Sequence, residues 1–138
     1  MKKLVFSVIV LVLMIASVVT SEAKKEKPYV TINVMYFHGP TRCQECLLIE
    51  QFTHQTLTSN FYRELQSLKV TWKTADFTSD STMGYEEHYK LETQTLVITR
   101  IENGKEVKWV KLDKVWDYLK DYPKFEKYVK TSIKKLMK

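Results

Sequence analysis

The sequence predicts an α/β fold, a four-stranded mixed sheet with helices on both faces. Three observations carry this. Strand-like runs rich in β-branched and aromatic residues alternate with helix-period segments in the order β-α-β-α-β-β-α. The first three runs are joined through helical segments, and the last two through the tight turn Asn103-Gly104, where both positions tolerate positive φ. The chain after the apolar leader is one domain's worth of residues, enough to build a single core around one sheet.

The elements follow in order. "YVTINVMYF" (29–37) reads as the first strand, stopped by Gly39 and Pro40. "TRCQ" fits a capping box, so a helix is expected to start with Thr41 as cap and Gln44 reaching back. Cys43 then falls in the first turn and Cys46 about one turn further in. Leu48 and Phe52, four apart, mark the core face. "LTSN" (57–60) predicts a break, followed by a short helix that turns Phe61, Leu65 and Leu68 inward. "VTWKTADF" (70–77) is the second strand. A helix is expected over about 82–91, then "TLVITRI" (95–101) and a returning fourth strand over 105–112. Asp113 is expected to open a helix to about Asp121. Pro123 suits the first position of a last helix that buries Phe125, Tyr128, Val129, Ser132, Ile133 and Leu136.

Of the 138 residues, the first 23 read as a secretory signal peptide. Met1-Lys2-Lys3 is basic, 4–19 is apolar, and Ser21-Glu22-Ala23 is a small-x-small exit; an uncleaved membrane anchor is the alternative. Residues 24–28 are a charged linker and 29–138 the folded domain. Setting Lys2, Lys3 and Glu22 aside lowers the formal net charge from +6 to +5, and the lysines lie mostly in a tail interleaved with acids. That pattern is a solvated helix face and argues against nucleic-acid binding. The expected location is exported, periplasmic or secreted, with membrane attachment only if the leader is retained.

Cys43 and Cys46 are the only cysteines. In an exported protein disulfides persist. A loop this short removes little unfolded-state entropy, so a purely structural staple is the weaker reading. The pair falls where a strand's carboxyl end meets a helix amino end, the place where ligands and chemistry collect in open α/β sheets. The partial positive charge there stabilises a thiolate and lowers its pKa by about one unit. Arg42 adds to this and Glu45 opposes it. Cys43 is therefore expected to attack first and Cys46, deeper in the helix, to resolve, with the sulfur pair open to visiting proteins.

At this point the chain resembles the thioredoxin superfamily over about 30–138, through its element order, its C-x-x-C at the first strand–helix junction and its closing helix. Within it, "YFHGPTRCQECLLIE" and "WVKLDKVWDYLKDYPKFEKYVK" resemble a family of small exported thioredoxin-like proteins described as nitrophenyl compound nitroreductase subunits, the ArsF family. The resemblance implies a thioredoxin-like fold and thiol–disulfide exchange with protein thiols, protein disulfides or an electron-donor protein, with Cys43 and Cys46 catalytic and no cofactor. It further implies substrate-binding or tuning roles for His38, Arg42, Thr93 and Gln94. Three positions depart from the superfamily pattern. Arg42 replaces the Trp before the first cysteine, Phe37 the buried acid six residues before it, and Gln94 the cis-proline. A cis bond before a residue other than proline costs about 2.5–4 kcal/mol, so Thr93–Gln94 is expected to be trans.

Two other readings stand beside this one. Both cysteines, with or without His38, offer donors for Cu(I) or Zn(II). His54 lies too far along the helix to join them, His88 reads as a surface residue, and Met35 and Met83 as core. Alternatively the domain is a non-catalytic interaction subunit, with Trp109 and Trp116 forming its face.

Overall fold

The computed structural model describes residues 27–138. The expected signal peptide and most of the linker lie outside the described residues. Strand β1 (Val30–His38) is central, flanked by β2 (Val70–Asp76) and β3 (Thr95–Glu102), and β4 (Lys105–Lys111) closes the far edge. The spatial order is β2-β1-β3-β4. β1 runs parallel to β2, with His38 beside Asp76, and antiparallel to β3. The sheet is thus four-stranded and mixed, as the sequence predicts.

Four helices complete the described fold: α1 (Gln44–Asn60), α2 (Tyr62–Gln66), α3 (Tyr85–Tyr89) and α4 (Tyr122–Met137). Strand residues alternate between faces. Ile32, Val34 and Tyr36 of β1, with Leu96 and Ile98 of β3, pack into one core with Cys46, Ile49 and Leu57 of α1 and Phe125, Val129, Ile133 and Leu136 of α4. Phe37 and Val97 point to the other face, where they pack with Tyr89 of α3 and Leu91. Helices therefore cover both faces.

The strand ends agree with the sequence reading to within one residue, and the helices differ more. α1 takes in "LTSN" and ends at its last residue, Asn60, so the expected break falls at Phe61, before α2; Thr56 and Leu57 are buried and Asn60 Nδ2 donates to Glu126 Oε1 of α4 at 2.6 Å. Its core stripe is Cys46, Ile49, Thr53, Thr56 and Leu57, with Leu48 and Phe52 on the flank. Leu68 does not turn inward: it takes a left-handed φ of 56° in the turn before β2 and is 67% exposed. The helix expected over 82–91 is split by Gly84, at φ +91°, into a 3₁₀ turn at Asp80–Thr82 and α3. Met83, expected in the core, is 82% exposed beside that glycine, whereas Met35 packs against the second core. The segment after Asp113 forms a 3₁₀ turn (Asp113–Val115) and further turns, held by i to i+3 bonds such as Asp117 N–H to Lys114 C=O at 3.1 Å. Tyr128 and Ser132 are only partly buried on α4. Trp109 and Trp116 are partly buried against the two cores.

Candidate redox site

β1 ends at His38, and the chain turns through the buried Gly39 and exposed Pro40 into α1. The helix cap is Cys43, not Thr41 as the capping-box pattern predicts. Cys43 is extended (φ −77°, ψ 165°), and its Sγ accepts from the Cys46 N–H at 3.0 Å. Cys43 is joined to Cys46 in a disulfide, with the two Cα atoms 5.0 Å apart. Gln44 is the first helical residue and Cys46 the third. One sulfur thus sits at the amino end of a 17-residue helix, where unpaired N–H groups and the helix dipole stabilise an anion.

The two cysteines differ in access. Cys43 is exposed, whereas Cys46 is 1% exposed and belongs to the main core. The expectation of a fully open sulfur pair is corrected: the third position of α1 faces the sheet, so a visitor meets Cys43 alone. Leu47 beside it is also exposed, at 51%.

Around the pair, Arg42 donates from Nη1 to Glu50 Oε2 on α1. Tyr36 lies beneath in the same core as Cys46, and its hydroxyl has no hydrogen-bond partner among the described residues. Burial pushes the Tyr36 phenol up to about 12; nearby Arg42 pulls it down and Glu50 pushes it up. The His38 Nδ1 lies 2.8 Å from the Gly39 carbonyl. A carbonyl only accepts, so Nδ1 carries the proton and Nε2 is the ring's other nitrogen. Asp76, beside His38 in register, is held below the usual carboxylate range by two hydrogen bonds from Thr78, with His38 and Arg42 adding to the effect.

Thr93 and Gln94 lie on the loop before β3, and no cis peptide bond occurs among the described residues. Thr93 Oγ1 donates to Gln94 Oε1 at 3.0 Å. The Gln94 carbonyl accepts from Trp116 Nε1 at 2.9 Å, and a Cβ on Gly39 would lie 3.6 Å from Gln94 Nε2. Gln94 therefore ties the turn after β1 to the turns before α4. A groove of about 620 Å³ runs between Gln44, Glu45 and Leu48 on one side and Trp116, Asp117, Leu119 and Lys120 on the other.

His54 is exposed on α1. His88 is exposed and engages Glu106 Oε1 at 2.7 Å. Among the described residues, no three His, Cys, Asp or Glu side chains come together as a metal-holding group. No helix among them is long and apolar enough to cross a membrane. The sequence reading missed Tyr36, Glu50 and Asp76, and gave Trp116 only to a partner face. Glu50 had a legible sign, since it follows Cys46 by one helical turn; the others depend on strand register and on the return of the chain.

No family model matches the chain, and no curated protein matches it. Solved structures do. Oxidized thioredoxin O2 from Arabidopsis thaliana is 13% identical over 73% of this chain and 74% of its own, with a TM-score of 0.45. Oxidised thioredoxin from Plasmodium falciparum is 18% identical over 71% and 81%, with a TM-score of 0.41. Thioredoxin from Trypanosoma brucei brucei is 17% identical over 75% and 76%, also with a TM-score of 0.41.

Proposed function

We propose that this chain is an exported thiol–disulfide oxidoreductase or redox partner of the thioredoxin superfamily, of the ArsF-like kind, acting on protein thiols through Cys43 and Cys46. One observation carries the reading: a disulfide-bonded cysteine pair stands at the amino end of α1, with Cys43, the cap, exposed and Cys46 buried. The basic, apolar and small-residue leader supports export to the periplasm or beyond, with the membrane involved only if it is retained.

The chemistry needs no cofactor. In the reduced chain, the Cys43 thiolate attacks one sulfur of a partner disulfide and the first partner thiolate leaves. Cys46 then loses its proton and attacks Cys43 Sγ. The chain's disulfide forms, the second partner thiolate leaves, and both leaving groups take up protons. Two electrons pass from the chain to its partner, and the reverse sequence oxidises a partner dithiol. The helix end favours the Cys43 thiolate in both directions. Exposed Leu47, and the groove by Trp116 that Gln44 and Glu45 border, offer a mixed apolar and polar seat near the start of α1.

The test is insulin reduction driven by dithiothreitol, run with the native chain and with Cys43→Ala. Catalysis by the native chain and its loss in the variant are expected. Stoichiometric Cu(I) or Zn(II) binding after anaerobic reduction, without catalysis, overturns the reading in favour of a metal site. Neither activity leaves a docking subunit.

A further inference from the structure

β4 stands last in the sheet order, so its outer N–H and C=O groups face no strand among the described residues. Such an edge is a template for a further strand. The register shift between Arg100 and Ile101 sets Val107 outside the pairing, so the regular part of the edge is Lys108–Lys111. Strand alternation puts Lys108 and Val110, the partners of Arg100 and Ile98, on the face that α4 covers, and Trp109, the partner of Thr99, on the other. A cavity of about 240 Å³ opens between this edge and α4. It exceeds the ~150 Å³ that holds a benzene ring, so it admits one aliphatic side chain. Val110, Leu112, Tyr128 and Leu136 give it apolar walls, and Lys108 of β4 and Lys135 of α4 border it. Both lysines are exposed, and neither makes an ion pair among the described residues.

The charges decide which strand fits. β4 carries Lys105, Lys108 and Lys111, so a second copy of it would bring lysine against lysine. The nearby acids are already engaged: Glu106 by His88 and Tyr89, Glu102 by Arg100, and Asp113 by Lys111 at 3.7 Å. What remains at the edge is cationic, in a chain of formal net charge +6. Edge lysines also discourage pairing between like molecules. That role alone needs no cavity beside them. Residues on one face of an added strand are two apart. The cavity and its two bordering lysines therefore match an apolar residue with a carboxylate two positions to either side.

We propose that the β4 edge docks an extended acidic segment of a partner protein, which joins the sheet as a fifth strand. Main-chain hydrogen bonds along Lys108–Lys111 supply affinity for any sequence, and the cavity with Lys108 and Lys135 selects the side chains. This goes beyond the cysteine chemistry and does not rest on it. β3 separates β4 from β1, the strand that leads to the cysteines, so the two properties can be lost separately.

The probe is a capped seven-residue peptide with leucine at its centre, glutamate two residues to each side and threonine elsewhere. It is titrated into the disulfide-bonded chain while backbone amide signals are followed by NMR. Saturable shifts are expected over 108–111 and over 128–136. Lys108→Glu combined with Lys135→Glu should weaken binding about tenfold, since two attractions become two repulsions. Lysine in place of both peptide glutamates should weaken it as much, which tests the charges without altering the chain. An added strand turns only alternate amides toward its neighbour, so N-methylation of alternate peptide residues should abolish binding in one phase and spare it in the other. Equal binding of the glutamate and lysine peptides, an equal response to both methylation phases, or shifts centred elsewhere overturns the proposal. No shift at millimolar peptide also overturns it and leaves the lysines as protection of the edge alone. Shifts over 108–111 that follow protein concentration without peptide seat a second copy there and overturn it as well.

Discussion

At the scale of single residues, Tyr36 sets an unpartnered polar group in the main core. Its side chain is fully buried and its hydroxyl unpaired among the described residues. Such a group costs about 1–3 kcal/mol. Its folded pKa, pushed up to about 12, lies above the unfolded value of about 10. The stability linked to the neutral phenol is therefore complete below about pH 10 and is lost as pH rises toward 12. Tyr36→Phe should raise stability near neutrality by about 1 kcal/mol and soften the alkaline fall. Tyr89 and Tyr128, whose phenols are also raised by burial, add to that fall. Urea unfolding of both proteins near neutrality and above pH 10 checks this. A variant that is weaker at neutral pH, with an unchanged alkaline fall, contradicts it.

At the scale of elements, the β3–β4 hairpin shows what a short motif can specify. Asn103 and Gly104 take φ values of 50° and 81°, as the turn requires. The turn is also tied to the start of β1, since Asn103 Oδ1 accepts from Tyr29 N–H and Asn103 N–H donates to Tyr29 C=O, each at 3.0 Å. A Cβ at Gly104 meets nothing within 4 Å, so Gly104→Ala should cost only the left-handed backbone strain, about 1–2 kcal/mol. Thermal unfolding of the variant measures it, and an unchanged midpoint would show that the turn can relax. The strands were legible because alternation and β-branched runs are local. The helices were less so: α1 continues to the end of the stretch that reads as a break, where Asn60 meets Glu126 on α4, a contact no local pattern reveals. Likewise the place of Cys43 at the strand–helix junction was legible, but its role as the cap was not. Thr41 carries the stronger capping pattern, but Cys43 Sγ is the group that accepts from the Cys46 N–H.

At the scale of the whole molecule, the difference between the two cysteines is a product of the complete fold. Cys46 is covered only when α1 packs on β1, β3 and α4. In the reduced folded chain, iodoacetamide should therefore modify Cys43 rapidly and Cys46 at least about tenfold more slowly, since only opened molecules expose it. In concentrated urea both should react alike. Equal rates in the folded chain would mean that the cover over Cys46 opens freely. Mass spectra of quenched samples distinguish one adduct from two.

The central position of β1 carries a consequence for how the chain reaches this state. Val30 pairs with Glu102, and Ile32 with Val70, so the strand leading to the cysteines gains both neighbours only through pairings distant in sequence. Such contacts form slowly, because a large loop must close before they stabilise anything. Until they form, Cys46 is as available as Cys43 to any oxidant or foreign thiol. The period of greatest risk of mispairing is thus the chain's own assembly, and a helper that holds β1 against β3 early would protect the cysteines without touching them.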